Sequence, residues 1–117
     1  MCHNTTVINH TKNGFFLQCQ ECKIYQVSFG NIFLELTEKE LSHFRTFLAQ
    51  LDPNHWERVY CNCTIKRKIP IPTLQSNLQI MLNRAELEEL KELLQVNPSK
   101  VTELIAAENV DYTVLLN

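Results

Sequence analysis

Five cysteines carry most of the chemistry this sequence could do: Cys2, Cys19, Cys22, Cys61 and Cys63. Cys19-Gln20-Glu21-Cys22 has the C-x2-C spacing of a zinc knuckle or of a dithiol redox site. Cys2-His3 adds a thiol and an imidazole at the N-terminus, and Cys61-Asn62-Cys63 adds a second thiol pair. An odd number of cysteines argues against a full disulfide framework. The first residues, Met-Cys-His-Asn-Thr-Thr, show neither the basic nor the apolar region of a signal peptide, so a reducing cytoplasm is the expected compartment. There the thiols serve as metal ligands, as redox groups or as small buried apolar side chains.

Other chemistry is scarce. The chain has no glycine-rich phosphate loop, no G-x-S-x-G and no H-E-x-x-H. No carboxylate pair stands out from the helix-surface glutamates. Cys2 and His3 make a poor nucleophile–base pair, because neighbours on a strand point to opposite faces. No catalytic residue is assigned, and a non-catalytic protein is expected. Lys66-Arg67-Lys68 beside Tyr60 could touch nucleic acid, but the net charge is −2, and lysines that blunt a sheet edge explain the run better. No apolar run approaches the roughly 18–20 residues that span a bilayer. Neither nucleic acid nor a membrane is expected as a partner; a protein partner or a second copy of the chain is.

The elements that must position the thiols read as α+β. At 117 residues, 44% hydrophobic and 21% charged, one domain over residues 1–117 is expected. Residues 5–11 and Phe15–Gln18 are strand-like around Asn13-Gly14, the strongest short-range hairpin signal. Residues 24–29 and 32–36 are two further strands around Gly30-Asn31. Thr37 with Glu40 forms a capping box, and the stripe Leu41, Phe44, Phe47, Leu48 and Leu51 predicts a helix ended by Asp52-Pro53. His43 lies beside that stripe, where it reads as a half-buried helix residue and, like Cys61 or Cys63, as the replacement should His3 not serve as a metal ligand. Residues 59–72 return to strand character, with Pro70 and Pro72 confining them to a sheet edge or an extended polyproline-like segment. Leu78, Ile80 and Leu82 alternate. Asn83 with Glu86 caps a second helix over Leu87, Leu90, Leu93 and Leu94, and Asn97-Pro98 can start a short third one.

Residues 31–48 align without gaps to residues 77–94, with Asn31/Asn77, Leu36/Leu82, Glu40/Glu86, Leu41/Leu87 and Leu48/Leu94 identical. A duplicated strand–helix unit would look like this, and so would any two strands feeding capped helices. Either origin predicts an antiparallel sheet with two main amphipathic helices on one face.

The hairpin sets the site. If Lys12 faces Phe15, Thr5 faces Cys22, and Cys2, His3, Cys19 and Cys22 converge on one sheet end. Zinc favours such a tetrahedral N/S set. A rival quartet is Cys19, Cys22, Cys61 and Cys63, with Cys61 and Cys63 pointing the same way along a strand. The leading reading is a binding or scaffold module stabilised by structural zinc. The alternative is a dithiol redox or metal-handling protein using Cys19 and Cys22. That chemistry wants the first cysteine at a helix N-terminus, whereas Ile24–Phe29 is a strand pattern.

The Met1-Cys2 start, Gly14-Phe15 before Cys19-x2-Cys22, Gln26 with Phe29, Ile71-Pro72-Thr73 and Asn83 before the second helix resemble a family of small, functionally uncharacterised bacterial domains found largely in Bacteroidetes. The resemblance implies a compact cytoplasmic domain in which Cys2, Cys19 and Cys22 belong to the pattern. It implies no activity. The tail Val110–Leu116 carries more apolar surface than a free terminus should expose, which predicts a homodimer or packing of the tail on its own sheet.

Overall fold

The computed structural model describes residues 4–96 of the chain. Strands β1 (Thr5–Thr11), β2 (Gly14–Cys19), β3 (Tyr25–Phe29) and β4 (Ile32–Leu36) form an antiparallel sheet in that order. Helix α1 (Glu38–Gln50) follows, then α2 (Pro53–Val59). A two-stranded antiparallel sheet, β5 (Ile69–Pro72) with β6 (Gln79–Leu82), precedes α3 (Arg84–Leu93). The class is α+β, as expected. Two compact units divide the chain. Among the described residues, one holds residues 4–50 and 90–96, the other Leu51–Glu89.

In the first unit, strand alternation sorts the sheet into two faces. Gly14, Phe16, Val27 and Phe29 are buried on the inner one, in register with half-buried Ile32 and Leu34. Both main helices meet this face: Arg45 of α1 lies over the Phe16 ring, and Leu93 of α3 packs against Gly14. On the outer face His10, Phe15, Ser28 and Phe33 form one cross-strand row, with Phe15 52% and Phe33 48% exposed.

The expected hairpin register needs correction. The turn pair is Lys12-Asn13, with Thr11 opposite Gly14, and a bulge falls between Val7 and Asn9. Thr5 therefore faces Cys19 and not Cys22. Gly14 serves packing instead of the turn. The glycine with positive φ is Gly30, at 58° in the β3–β4 turn.

Both capping boxes form. Thr37 Oγ1 accepts from Glu40 N–H at 3.2 Å while Glu40 Oε1 accepts from Thr37 N–H at 2.8 Å. Asn83 Oδ1 accepts from Glu86 N–H at 2.7 Å while Glu86 Oε1 accepts from Asn83 N–H at 2.9 Å. The echo between residues 31–48 and 77–94 thus extends to strand, cap and helix start. The stripe Leu87, Leu90, Leu93 and Leu94 is buried throughout. In α1 only Leu41 and Leu48 of the expected stripe are fully buried. Phe44, Phe47 and Leu51 are half-buried, and Thr46 is buried with its hydroxyl donating to Ser42 O at 3.0 Å.

The C-terminus of α3 is closed by its own backbone and by two side chains. Val96 N–H donates to Lys91 O and Gln95 N–H to Glu92 O, with Gln95 left-handed at φ 57°, a Schellman motif without glycine. Asn9 Nδ2 donates to the Glu92 and Leu93 carbonyls, and Arg45 Nε donates to Leu94 O at 2.9 Å. Burial holds the Arg45 guanidinium pKa below its ordinary value, yet a guanidinium keeps its charge at any physiological pH. It therefore meets the negative end of the helix dipole and a π-face at once. Arg45→Met is expected to cost about 1–3 kcal/mol, chiefly by leaving the Leu94 carbonyl without this donor. Arg45→Lys should recover only part of that, since an ammonium lacks the planar fork. Urea melts of the three proteins check both.

In the second unit, Ile69 and Ile71 of β5 and Leu82 of β6 are buried, and Ile69 pairs with Leu82. The two-stranded sheet leaves β5 one side without a ladder, where Pro70 and Pro72 cost nothing. The expected strand over 59–72 shrinks to Ile69–Pro72. Helix α2 takes its first residue, because Asp52-Pro53 starts a helix as well as ending one. Asp52 Oδ1 accepts from Asn54 N–H at 3.0 Å, with Pro53 in the first turn. The expected short third helix from Asn97 lies outside the described residues, as does the tail Val110–Leu116.

Arg67 Nε donates to Glu86 Oε1 at 2.7 Å. That hydrogen bond first, and the Asn83 backbone donor second among the favourable causes, hold the Glu86 carboxyl below its usual range. A depressed folded pKa means stability that is present above the unfolded value, about 4.3, and lost as pH falls through the folded one. Glu86→Gln keeps the capping geometry and loses the ion pair. It is expected to lower the melting temperature slightly at pH 7 and to match the wild type below about pH 3.

Candidate metal centre

Strand β2 delivers Cys19 to the sheet end, and the chain reverses over residues 20–24. Cys19 N–H donates to Ile24 O at 2.9 Å, and Lys23 N–H donates back to Cys19 O at 3.0 Å. Lys23 takes φ 63°, a left-handed conformation that costs a non-glycine residue about 1–2 kcal/mol and persists here because those bonds fix the turn. Inside the turn, Cys22 N–H points at the Cys19 sulfur, with N···Sγ 3.5 Å. A backbone N–H aimed at sulfur is the kind of donor that orients a metal-bound cysteine. Cys19 is 0% exposed and Cys22 exposed. On the other side of β2, Gln20 N–H donates to Asn4 O at 2.8 Å, extending the β1–β2 pairing to Asn4.

The chain belongs to the DUF6686 family. The match covers residues 1–117, and the family is one of unknown function. No curated protein and no solved structure matches the chain. The expected resemblance to a family without assigned activity is borne out.

Of the four expected ligands in this DUF6686 domain, the turn brings Cys19 and Cys22 together. Cys2 and His3 lie outside the described residues. Among the described residues no group of three or more His, Cys, Asp or Glu could hold a metal ion. The second limb of the rival quartet is not built as expected. Cys61 and Cys63 are exposed and sit in turns after α2, where Cys61 N–H donates to Arg58 O and Cys63 N–H to Tyr60 O. Strand alternation therefore does not aim them together. His43 is half-buried on α1, as expected.

Two features of this domain escape the sequence pattern. Arg45 carries no signal in the sequence and closes a helix end. A cleft of about 270 Å3 in the second unit is lined by Glu57, Cys61, Lys66, Lys68, Ile69 and Asn83. The basic run expected on a strand edge thus falls in irregular chain, two of its lysines line the cleft, and Arg67 pairs with Glu86. Among the described residues no helix is long and apolar enough to cross a membrane.

Proposed function

We propose that this DUF6686 domain is a non-catalytic binding or scaffold module whose four-stranded sheet is clasped at one end by structural zinc, held by Cys19 and Cys22 with Cys2 and His3. The observation that carries the reading is the Cys22 N–H aimed at the Cys19 sulfur within a turn held by two backbone hydrogen bonds. A metal-ligand turn needs that order of donor and sulfur, because the amide both orients the ligand and offsets its charge. The pairing of Gln20 with Asn4 supports it, since the strand that leads back to Cys2 and His3 runs beside Cys19. Adjacent strand residues point to opposite faces, so Cys2 and His3 serve together only where the backbone departs from a strand.

The dithiol alternative is less well supported. An attacking thiolate needs access and a feature that lowers its pKa, while Cys19 is fully buried and the segment after Cys22 leads into β3 and not into a helix. Metal analysis of protein purified without added zinc tests the proposal. About one zinc per chain, lost with chelator together with the fold, is expected. Metal-free protein that forms a reversible Cys19–Cys22 disulfide would favour the alternative.

A further inference from the structure

We propose that Cys61 and Cys63 form a second, independent site: a dithiol that exchanges with low-molecular-weight disulfides such as glutathione disulfide. Cys61 lines the 270 Å3 cleft together with Lys66 and Lys68, and both cysteines are exposed. The third charged residue of the lining, Glu57, accepts from Arg84 Nη2 at 2.5 Å, so its carboxylate is already matched. Arg67, between the two lysines, is held by Glu86. The charge left facing Cys61 across the cleft is that of Lys66 and Lys68. An accessible cleft lined by two lysines is what receives an anionic tripeptide disulfide beside the Cys61 sulfur.

Cys63 is placed to resolve the first product. Residues two apart span at most about 7 Å even when extended, and the turns closed by Cys61 N–H to Arg58 O and Cys63 N–H to Tyr60 O shorten that. This is within the Cα separation a disulfide accepts, roughly 4.4–6.8 Å. The Cys61 thiolate attacks one sulfur of glutathione disulfide. An S–S bond forms between Cys61 and glutathione, the original S–S bond breaks, and one glutathione thiolate leaves and takes a proton. The Cys63 thiolate then attacks the Cys61 sulfur, the Cys61–Cys63 bond forms, and the second glutathione leaves as thiolate. The protein dithiol loses two electrons and two protons, and one glutathione disulfide becomes two glutathiones. The site shares no residue with Cys19–Cys22, and zinc there neither requires nor excludes it.

The test equilibrates full-length protein with mixtures of reduced and oxidised glutathione and maps each cysteine by mass spectrometry. A Cys61–Cys63 disulfide that forms and reverses with the buffer ratio is expected. Cys63→Ser should stop at a glutathione adduct on Cys61, and Cys61→Ser should react several-fold more slowly at Cys63. Lys66→Ala with Lys68→Ala should slow Cys61 several-fold against wild type while leaving the rate at Cys22 unchanged. A circular dichroism spectrum matched to wild type shows that each variant is folded; for a variant that is not, Lys66→Gln with Lys68→Gln is used instead. Failure of the Cys61–Cys63 disulfide to form in excess oxidised glutathione overturns the proposal, as does a rate at Cys61 that ignores both lysines.

Discussion

Gly14→Ala is expected to destabilise the protein by roughly 1–3 kcal/mol, the cost of forcing a group into a packed core. A Cβ at this position would lie 2.7 Å from Leu93 Cδ2, 2.9 Å from the Ser28 carbonyl oxygen and 3.1 Å from Phe29 Cδ1. The leucine methyl can swing aside. The Ser28 oxygen belongs to the β2–β3 ladder and cannot. Alanine gains about 0.4–1 kcal/mol by narrowing the unfolded ensemble, which is less than the clash costs. Leu93 is fully buried, so Leu93→Ala alone should cost about 2–5 kcal/mol. In the double variant one of the clashes is absent, and the total should fall short of the sum by a measurable coupling. Denaturant melts of the four proteins complete the cycle. Additivity, or a Gly14→Ala protein as stable as wild type, would show that the helix end does not press on this strand. Gly30 provides the contrast: nothing lies within 4 Å of its would-be Cβ, so only its φ of 58° resists substitution.

Gly14 also shows where sequence reading succeeds and fails. Asn13-Gly14 announces a hairpin between two β-rich runs, and a hairpin is there. A register with Asn13-Gly14 as the turn pair follows only if glycine is needed there for positive φ. The glycine is instead needed because α3 ends against it, a contact about 80 residues away that no local pattern reveals. The elements whose causes are local were legible. Thr37 with Glu40 and Asn83 with Glu86 each satisfy helix-end donors within one turn of chain, and both boxes form as spaced. Pro70 and Pro72 fixed their strand as an edge for an equally local reason, the missing N–H. Asp52-Pro53 was legible in one direction only, since the same dipeptide that stops α1 supplies the cap and first turn of α2. That displaced the strand expected at residue 59 and carried Cys61 and Cys63 into turns. The C-x2-C pair was found because its chemistry is written in spacing. The lysine-lined cleft was missed because Cys61, Lys66 and Lys68 meet through irregular chain, which has no period to read. Arg45 was missed because its carbonyl partner lies 49 residues away.

Cys22→Ser is the substitution that most sharply separates a zinc site from a buried thiol, and it should lower zinc content and melting temperature together. Cys19→Ser should do the same, but it is the weaker test. Cys19 is fully buried, and placing a hydroxyl where a thiol was costs about 1–3 kcal/mol in a metal-free core as well. Cys22 is exposed, so in a metal-free protein its replacement by serine should stay within roughly 0.5 kcal/mol of wild type. A structural zinc ion changes that comparison. Its binding free energy is part of the folding free energy, and in small zinc-stabilised folds it reaches about 10–16 kcal/mol near neutral pH. Losing one thiolate ligand then removes most of that, whether or not the side chain is buried. Chelator supplies the control: with metal withdrawn, wild type and Cys22→Ser should melt together, while Cys19→Ser stays lower by its packing cost alone. Ligand protonation gives a second signature, since thiolates and imidazole release zinc as pH falls, and the gap between wild type and Cys22→Ser should close on acidification. If Cys22→Ser melts with wild type at neutral pH without chelator, the sulfur pair is not a metal centre, and Cys19 is a core thiol whose amide contact is a consequence of the turn.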